Sequence, residues 1–154
     1  MPSRRDLIRM TDEEVASFLA EPHTMAVATR GPGDDIHVVA MWYGFVGSDV
    51  AFWTYSKSQK MLNLQRTGTL TALVEAGESY DTLRGVELVA DAEIITDTAE
   101  VYEIGNSIYG RYGGVAQSGE ARHAFLSSAP KRYGVIIHPR KVVSWDHRKL
   151  GGVY

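Results

Sequence analysis

The sequence reads as a mainly β, α+β domain: an antiparallel sheet closed into a small barrel, with a few helices packed outside it. Three observations point there. Apolar, β-branched runs recur along the chain with short Gly-, Pro- and Asp-containing turns between them. Helical periodicity is confined to a few separate stretches, with no regular strand–helix alternation of the kind that builds a parallel sheet. The length of 154 residues suits one domain with a single core, so residues 1–154 are read as one unit.

Taken in order, Thr11 and Glu14 have capping-box spacing, and Val15, Phe18 and Leu19 give one apolar face, which predicts a short helix ending before Pro22. "TMAVATR" alternates as a strand, "GPGDD" turns, "IHVVAMWYGF" is long, β-branched and aromatic, and "VGSD" leads into "VAFWTY". Those three runs predict a three-stranded meander. Residues 58–67 have a helical pattern. "TLTALVEA" and "GVELVADAEII" read as two further strands, and "DTAEVYEIGNSIYGRY" as a helix. The glycine-rich "GRYGGVAQSGE" reads as a mobile loop, a lid or a plain connection over residues 110–119, followed by a second helix near residues 119–128. "RYGVIIHP" and "KVVSWDH" are expected as the closing strands, with Pro139 at the turn between them.

Composition narrows the function classes. Hydrophobic residues make up 44% and charged residues 23%, the balance of a soluble globular protein. With 16 Lys+Arg against 19 Asp+Glu the net charge is -3, so no whole-molecule field draws the protein to nucleic acid or to anionic lipid. The lack of cysteine removes disulfides and thiolate chemistry and fits a reducing compartment. The basic "MPSRRDLIRM" runs into the acidic "TDEE" where a signal peptide needs its apolar stretch, and no run approaches a membrane span. A cytoplasmic location is the expectation.

The most informative segment is "FWTYSKSQKMLNLQR", where a strand hands over to a helix. A helix start presents unpartnered N–H groups and the positive end of the macrodipole, which favours a phosphate. Thr54, Ser56 and Ser58 supply hydroxyls, Lys57 and Lys60 supply charge, and Asn63 extends the Lys60 face by one turn. On spacing alone, a serine N-cap with solvated lysines explains the same residues.

The segment from Phe52 to Lys60, with Thr54, Ser58 and Lys60, resembles the phosphate-binding segment of the pyridoxamine phosphate oxidase-like split β-barrel flavoproteins. Together with "IHVVAMWY", "TLTALVEAGESYDTLRGVELVADAEII" and "KVVSWDHRKL", the order of motifs from Thr11 to Leu150 resembles the actinobacterial branch of that superfamily, which uses the deazaflavin coenzyme F420. The resemblance implies a six-stranded antiparallel split barrel with peripheral helices, and a homodimer with two cofactor sites at the subunit interface. It implies that Lys60 neutralises the cofactor phosphate with Ser58, Ser56 and Thr54 as neighbouring donors. Val39, Ala40 and Met41 would run beneath the tricyclic ring, with Tyr55, Met61 and Asn63 as further contacts. The chain also departs from the oxidases. They carry an Arg and a Lys on the second strand and an Arg before the phosphate Lys, where this sequence has approximately His37, Trp42 and Gln59. Fewer fixed charges around the phosphate argue against tight FMN binding of the oxidase type. "SWDHRKLGGVY" also lacks the oxidases' substrate-phosphate motif.

The activity so implied is hydride transfer from reduced F420 to a small conjugated organic acceptor, with FMN as the alternative cofactor. A non-catalytic carrier of a flavin-like or tetrapyrrole ligand is the reading from a different class. No residue is singled out as catalytic: His37 and Tyr80 are proton-donor candidates by type only, behind solvent. The five histidines show no pair at i, i+4, so no metal site is expected. Trp53 reads as core, while Trp145 reads equally well as core or as the floor of a ring-binding cleft. Arg4, Arg5, Arg9, Arg148 and Lys149 read as solvated ends or as contacts for an oligoglutamate tail. "GRYGG" is no P-loop, since no Gly-Lys-Ser/Thr follows.

Overall fold

The computed structural model describes residues 1–113 and 118–153. Two capping boxes start the chain, one at Ser3 for helix α1 (Arg4–Ile8) and one at Thr11 for α2 (Asp12–Ala20). Then come strands β1 (Met25–Arg30), β2 (Ile36–Met41), β3 (Gly44–Val46) and β4 (Asp49–Tyr55), followed by helix α3 (Gln59–Thr67). Strands β5 (Thr69–Ala76) and β6 (Arg84–Ile95) precede helices α4 (Thr98–Tyr112) and α5 (Gly119–Leu126), and β7 (Arg132–Asp146) closes the sheet.

The sheet is antiparallel, with strand order β2-β1-β5-β6-β7-β4-β3. Its two end strands, β2 and β3, are separated in sequence only by Trp42 and Tyr43. The sheet therefore curls until its edges face each other across that corner, a barrel left split at one seam. Among the described residues it has seven strands where the resemblance implied six; of the runs read in the sequence, "IHVVAMWYGF" is two strands and not one, and the last two runs are a single strand. The corner is pinned from within. Tyr43 is fully buried, its hydroxyl donates to the Leu19 carbonyl at 2.8 Å, and Arg111 Nε donates to the Tyr43 carbonyl at 2.9 Å.

Two pairing expectations need correction. The predicted meander does not form: β4 pairs with β7 and β3, while β2 pairs with β1, because the Trp42–Tyr43 corner carries the chain from one sheet edge to the other. The two predicted closing strands are one strand, β7, which pairs with β6 from Gly134 to Asp146. Pro139 lies opposite Ala90 at a register shift between Val89 and Ala90, so the missing N–H bends the strand there and does not reverse it. In addition, the "GRY" of the predicted mobile loop is the last turn of α4, and Ser118 is the N-cap of α5. Residues 114–117 of that stretch lie outside the described residues.

Alternation along β4 explains why the molecule has two cores. Phe52 points into the barrel with Met25, Val27, Val86, Leu88, Val135 and Ile137, and α3 plugs that space with Met61 and Leu64. Ala51 and Trp53 point the other way, under the α4 stripe of Val101, Ile104 and Ile108 and under Leu126 of α5. Buried on both faces, β4 therefore reads in sequence as a continuous apolar run. Among the described residues, no helix is long and apolar enough to cross a membrane.

Candidate functional site

The β4–α3 corner brings three of the predicted residues into one hydrogen-bonded chain. Ser58 caps α3, its Oγ accepting from the Met61 N–H at 3.3 Å. Thr54 Oγ1 donates to Ser58 Oγ at 3.1 Å, and Lys60 Nζ donates to Thr54 Oγ1 at 3.0 Å. Lys60 is half-buried. Burial first, and the nearby Arg132 charge second, hold its pKa below the ordinary lysine range. Among the described residues its ammonium pairs with no carboxylate. A half-buried cation at a helix N-terminus without a counter-charge is a seat for an anion.

The other predicted residues divide. Ser56 is half-buried, and its N–H is taken by the Lys131 carbonyl at 3.0 Å. Tyr55 is exposed beside the corner. Met61 and Asn63 are wholly buried and offer a ligand no surface in this conformation. Asn63 donates to Thr29 at 3.1 Å and accepts from Gln59 at 2.8 Å, which fastens α3 to β1. Their place is to hold the helix whose first turn carries Lys60.

On β2, Val39 and Met41 point inward beside Val27 and Met25, while Ala40 lies on the exposed row with Ile36 and Val38. Among the described residues no strand pairs with the outer edge of β2, so its N–H and C=O groups remain available to the edge of a planar ring. Between β2 and helices α4 and α5 lies a cleft of about 390 Å³, lined by Thr24, Ala40, Met41, Trp42, Trp53, Ile108, Phe125 and Arg132. Trp42 stacks flat on Tyr112, with centroids 4.9 Å apart and planes 3° from parallel. Trp53 packs against Phe125 at 5.1 Å and passes under Gly105, where a Cβ would stand 2.4 Å from the Trp53 ring.

Arg132 is the residue the sequence reading missed. Its guanidinium lies 4.5 Å from the Trp53 centroid and 4.1 Å from that of Tyr55, and Nε donates to Ser128 Oγ at 2.8 Å. Burial lowers its pKa, opposed by Tyr55. It too lacks a carboxylate partner among the described residues. One further group is unsatisfied: His37 Nδ1, on β2 opposite Thr29, is buried without a hydrogen-bond partner among the described residues. The unneutralised Lys60, a hydroxyl pair, a helix N-terminus and an orphaned ring nitrogen fit a phosphorylated, planar cofactor. They do not fit a metal, and among the described residues no group of three or more His, Cys, Asp or Glu could hold one.

Residues 11–146 match the family model of pyridoxamine 5'-phosphate oxidase. The chain belongs to that family. Within the pyridoxamine 5'-phosphate oxidase family it is similar to the conserved hypothetical protein Rv2991 from Mycobacterium tuberculosis, with 37% identity and a TM-score of 0.89 over 99% of this chain and 95% of that one. It shares its fold with a structure described as an F420 reductase, at 21% identity and a TM-score of 0.61, covering 82% of this chain and 93% of that one. The fold also recurs in HutZ, the heme storage protein from Vibrio cholerae, at 14% identity and a TM-score of 0.66, covering 86% of this chain and 94% of that one. No curated protein matches the chain in sequence. Against the oxidase pattern described for this family, the exposed Gln59 and the half-buried His37 stand where fixed charges are expected.

Proposed function

We propose that the protein is a reductase that binds reduced coenzyme F420 and delivers hydride to a small conjugated acceptor. The observation that carries the reading is the unneutralised Lys60–Thr54–Ser58 chain at the start of α3, beside an apolar cleft floored by an unpaired sheet edge. Kinship in fold with an F420 reductase supports it. Lys60, Ser58, Thr54 and Ser56 would receive the phosphate, and the backbone of Val39, Ala40 and Met41 would address the ring edge. When bound in its reduced form, a deazaflavin supplies the hydride and solvent the proton. The protein's own part is to orient and to dry the site. Trp42, Trp53, Ile108 and Phe125 exclude water from the cleft, and the sheet edge fixes the ring plane. No side chain is needed as a nucleophile.

Ile36 and Val38 on the edge strand β2 and Trp42 just past its end are 60%, 61% and 51% exposed, a surface suited to a second copy of the chain, so a homodimer is part of the proposal. A cytoplasmic location is part of it as well, since a chain without cysteine suits a reducing compartment. HutZ favours one competing reading, a carrier that holds a tetrapyrrole without turning it over. No histidine or tyrosine lines the cleft among the described residues to ligate a heme iron, which weighs against that reading. Fluorescence titration with F420 and with FMN, followed by a screen for acceptor-dependent oxidation of the bound reduced cofactor, tests the proposal. Saturable F420 binding with turnover is expected. Tight binding with no acceptor-dependent loss would make the protein a carrier, and preferential FMN binding would move it to the flavin branch.

A further inference from the structure

Lys60 and Arg132 serve opposite faces of β4. Successive strand residues point to opposite sides, so Thr54, which receives Lys60, faces the barrel interior, whereas Trp53 and Tyr55, which carry Arg132, face the cleft. Register supports this, because Arg132 lies directly opposite Tyr55 in the β4–β7 pair. The two cations are therefore separate devices at one corner of the fold. Arg132 is also the sole charged residue among the described residues that line the cleft, whose remaining walls are apolar or aromatic apart from Thr24.

We propose that the cleft selects a planar, conjugated acceptor that carries a carboxylate, with Arg132 as the group that receives that carboxylate. The guanidinium is built for the task. It is stacked between two aromatic rings, its Nε is fixed by Ser128, and its terminal nitrogens meet no carboxylate of the protein among the described residues. A fork oriented in this way pairs bidentately with a carboxylate and imposes one orientation on the flat body beside it. Trp53 and Phe125 supply the surface for that body. Naming the ligand an acceptor rests on the reductase reading; the anion preference of the cleft does not.

The test compares 2-naphthoate with the uncharged 2-naphthamide by calorimetric titration, with and without saturating oxidised F420. It uses the wild-type protein, Arg132→Gln, Arg132→Lys and Lys60→Ala. The wild type should prefer the carboxylate by about tenfold or more, the scale of one charge-assisted bond. Arg132→Gln should erase the preference and Lys60→Ala should keep it, while F420 affinity falls in Lys60→Ala and stays within about twofold in Arg132→Gln. Should Arg132→Gln fail to fold, Arg132→Lys carries the test. Loss of the fork should weaken naphthoate binding several-fold there, and unchanged binding would overturn the assignment. Equal binding of the two probes by the wild type overturns it too. So does an Arg132→Gln variant that loses F420 as completely as Lys60→Ala, since the guanidinium would then belong to the cofactor phosphate. A wild type that ignores F420 yet keeps an Arg132-dependent preference for naphthoate sinks the reductase reading and leaves the anion site standing.

Discussion

Replacing Lys60 with alanine removes the ammonium that donates to Thr54 at 3.0 Å and sits uncompensated at the α3 N-terminus. A charge-assisted bond to a phosphate contributes about 1.5–3 kcal/mol, which corresponds to a loss of roughly 10- to 150-fold in F420 affinity. Stability should move differently from affinity. In the free protein the Lys60 charge is disfavoured by burial and by Arg132, so its removal should leave the unfolding midpoint unchanged or raised. The pH dependence follows with opposite signs for the two properties. The folded pKa lies below that of the unfolded chain, so the native state sheds its proton first, and stability from this group rises with pH between the two values. Anion affinity instead falls as pH rises through the lowered pKa, because the binding form is the charged one. Fluorescence titration across the alkaline range, with thermal unfolding in parallel, measures both. Lys57→Ala is the control, since Lys57 is exposed. Equal F420 affinity in Lys60→Ala and wild type would remove the phosphate role, and a lowered unfolding midpoint would show that the charge was serving the fold.

Three further outcomes are expected. Gly105→Val places a side chain where even a Cβ would stand 2.4 Å from the Trp53 ring; it should cost about 1–3 kcal/mol in denaturant unfolding and shift the Trp53 emission as the cleft wall moves. Asn63→Leu strands Thr29 and Gln59 without their shared partner and should destabilise by about 1–3 kcal/mol, with any loss of cofactor affinity tracking displacement of α3; an equally stable variant would show that the polar link is dispensable. The buried Asp146 carboxylate accepts from Arg148 at 2.7 Å and 2.9 Å and from its N–H at 3.0 Å, and the Arg148 bonds hold its pKa below the usual carboxylate range. Its contribution is therefore present above the ordinary carboxylate pKa and lost as pH falls through the lowered value. Asp146→Asn should remove that acid sensitivity and cost about 1 kcal/mol near neutrality, read by thermal unfolding as a function of pH.

What the sequence made legible was local. The Thr11 capping box, the Ser58 cap with Lys60 two residues on, and the helical run "DTAEVYEIGNSIYGRY" are each patterns within one short stretch, and each element forms where its pattern says. What stayed hidden was pairing at a distance. Nothing within "IHVVAMWYGF" shows that Tyr43 will be pinned by the Leu19 carbonyl, and that anchor turns one apparent strand into two. Likewise "KRYGVII" looks like a basic turn entering a strand. Arg132 acquires its meaning only when the β4–β7 register lays it opposite Tyr55, so no short window contains the signal. For Asn63 the spacing shows the helix but not the depth: one turn on from the half-buried Lys60, Asn63 is sunk against β1 and bonded to Thr29.

A crystal structure of the protein loaded with F420 bears hardest on the assignment. The phosphate should lie about 2.7–3.0 Å from Lys60 Nζ at the first turn of α3, with the ring along the free edge of β2 over Ala40 and Met41. Density for the cofactor elsewhere, with the Lys60 ammonium facing bulk water, would contradict the proposed site and leave only the fold.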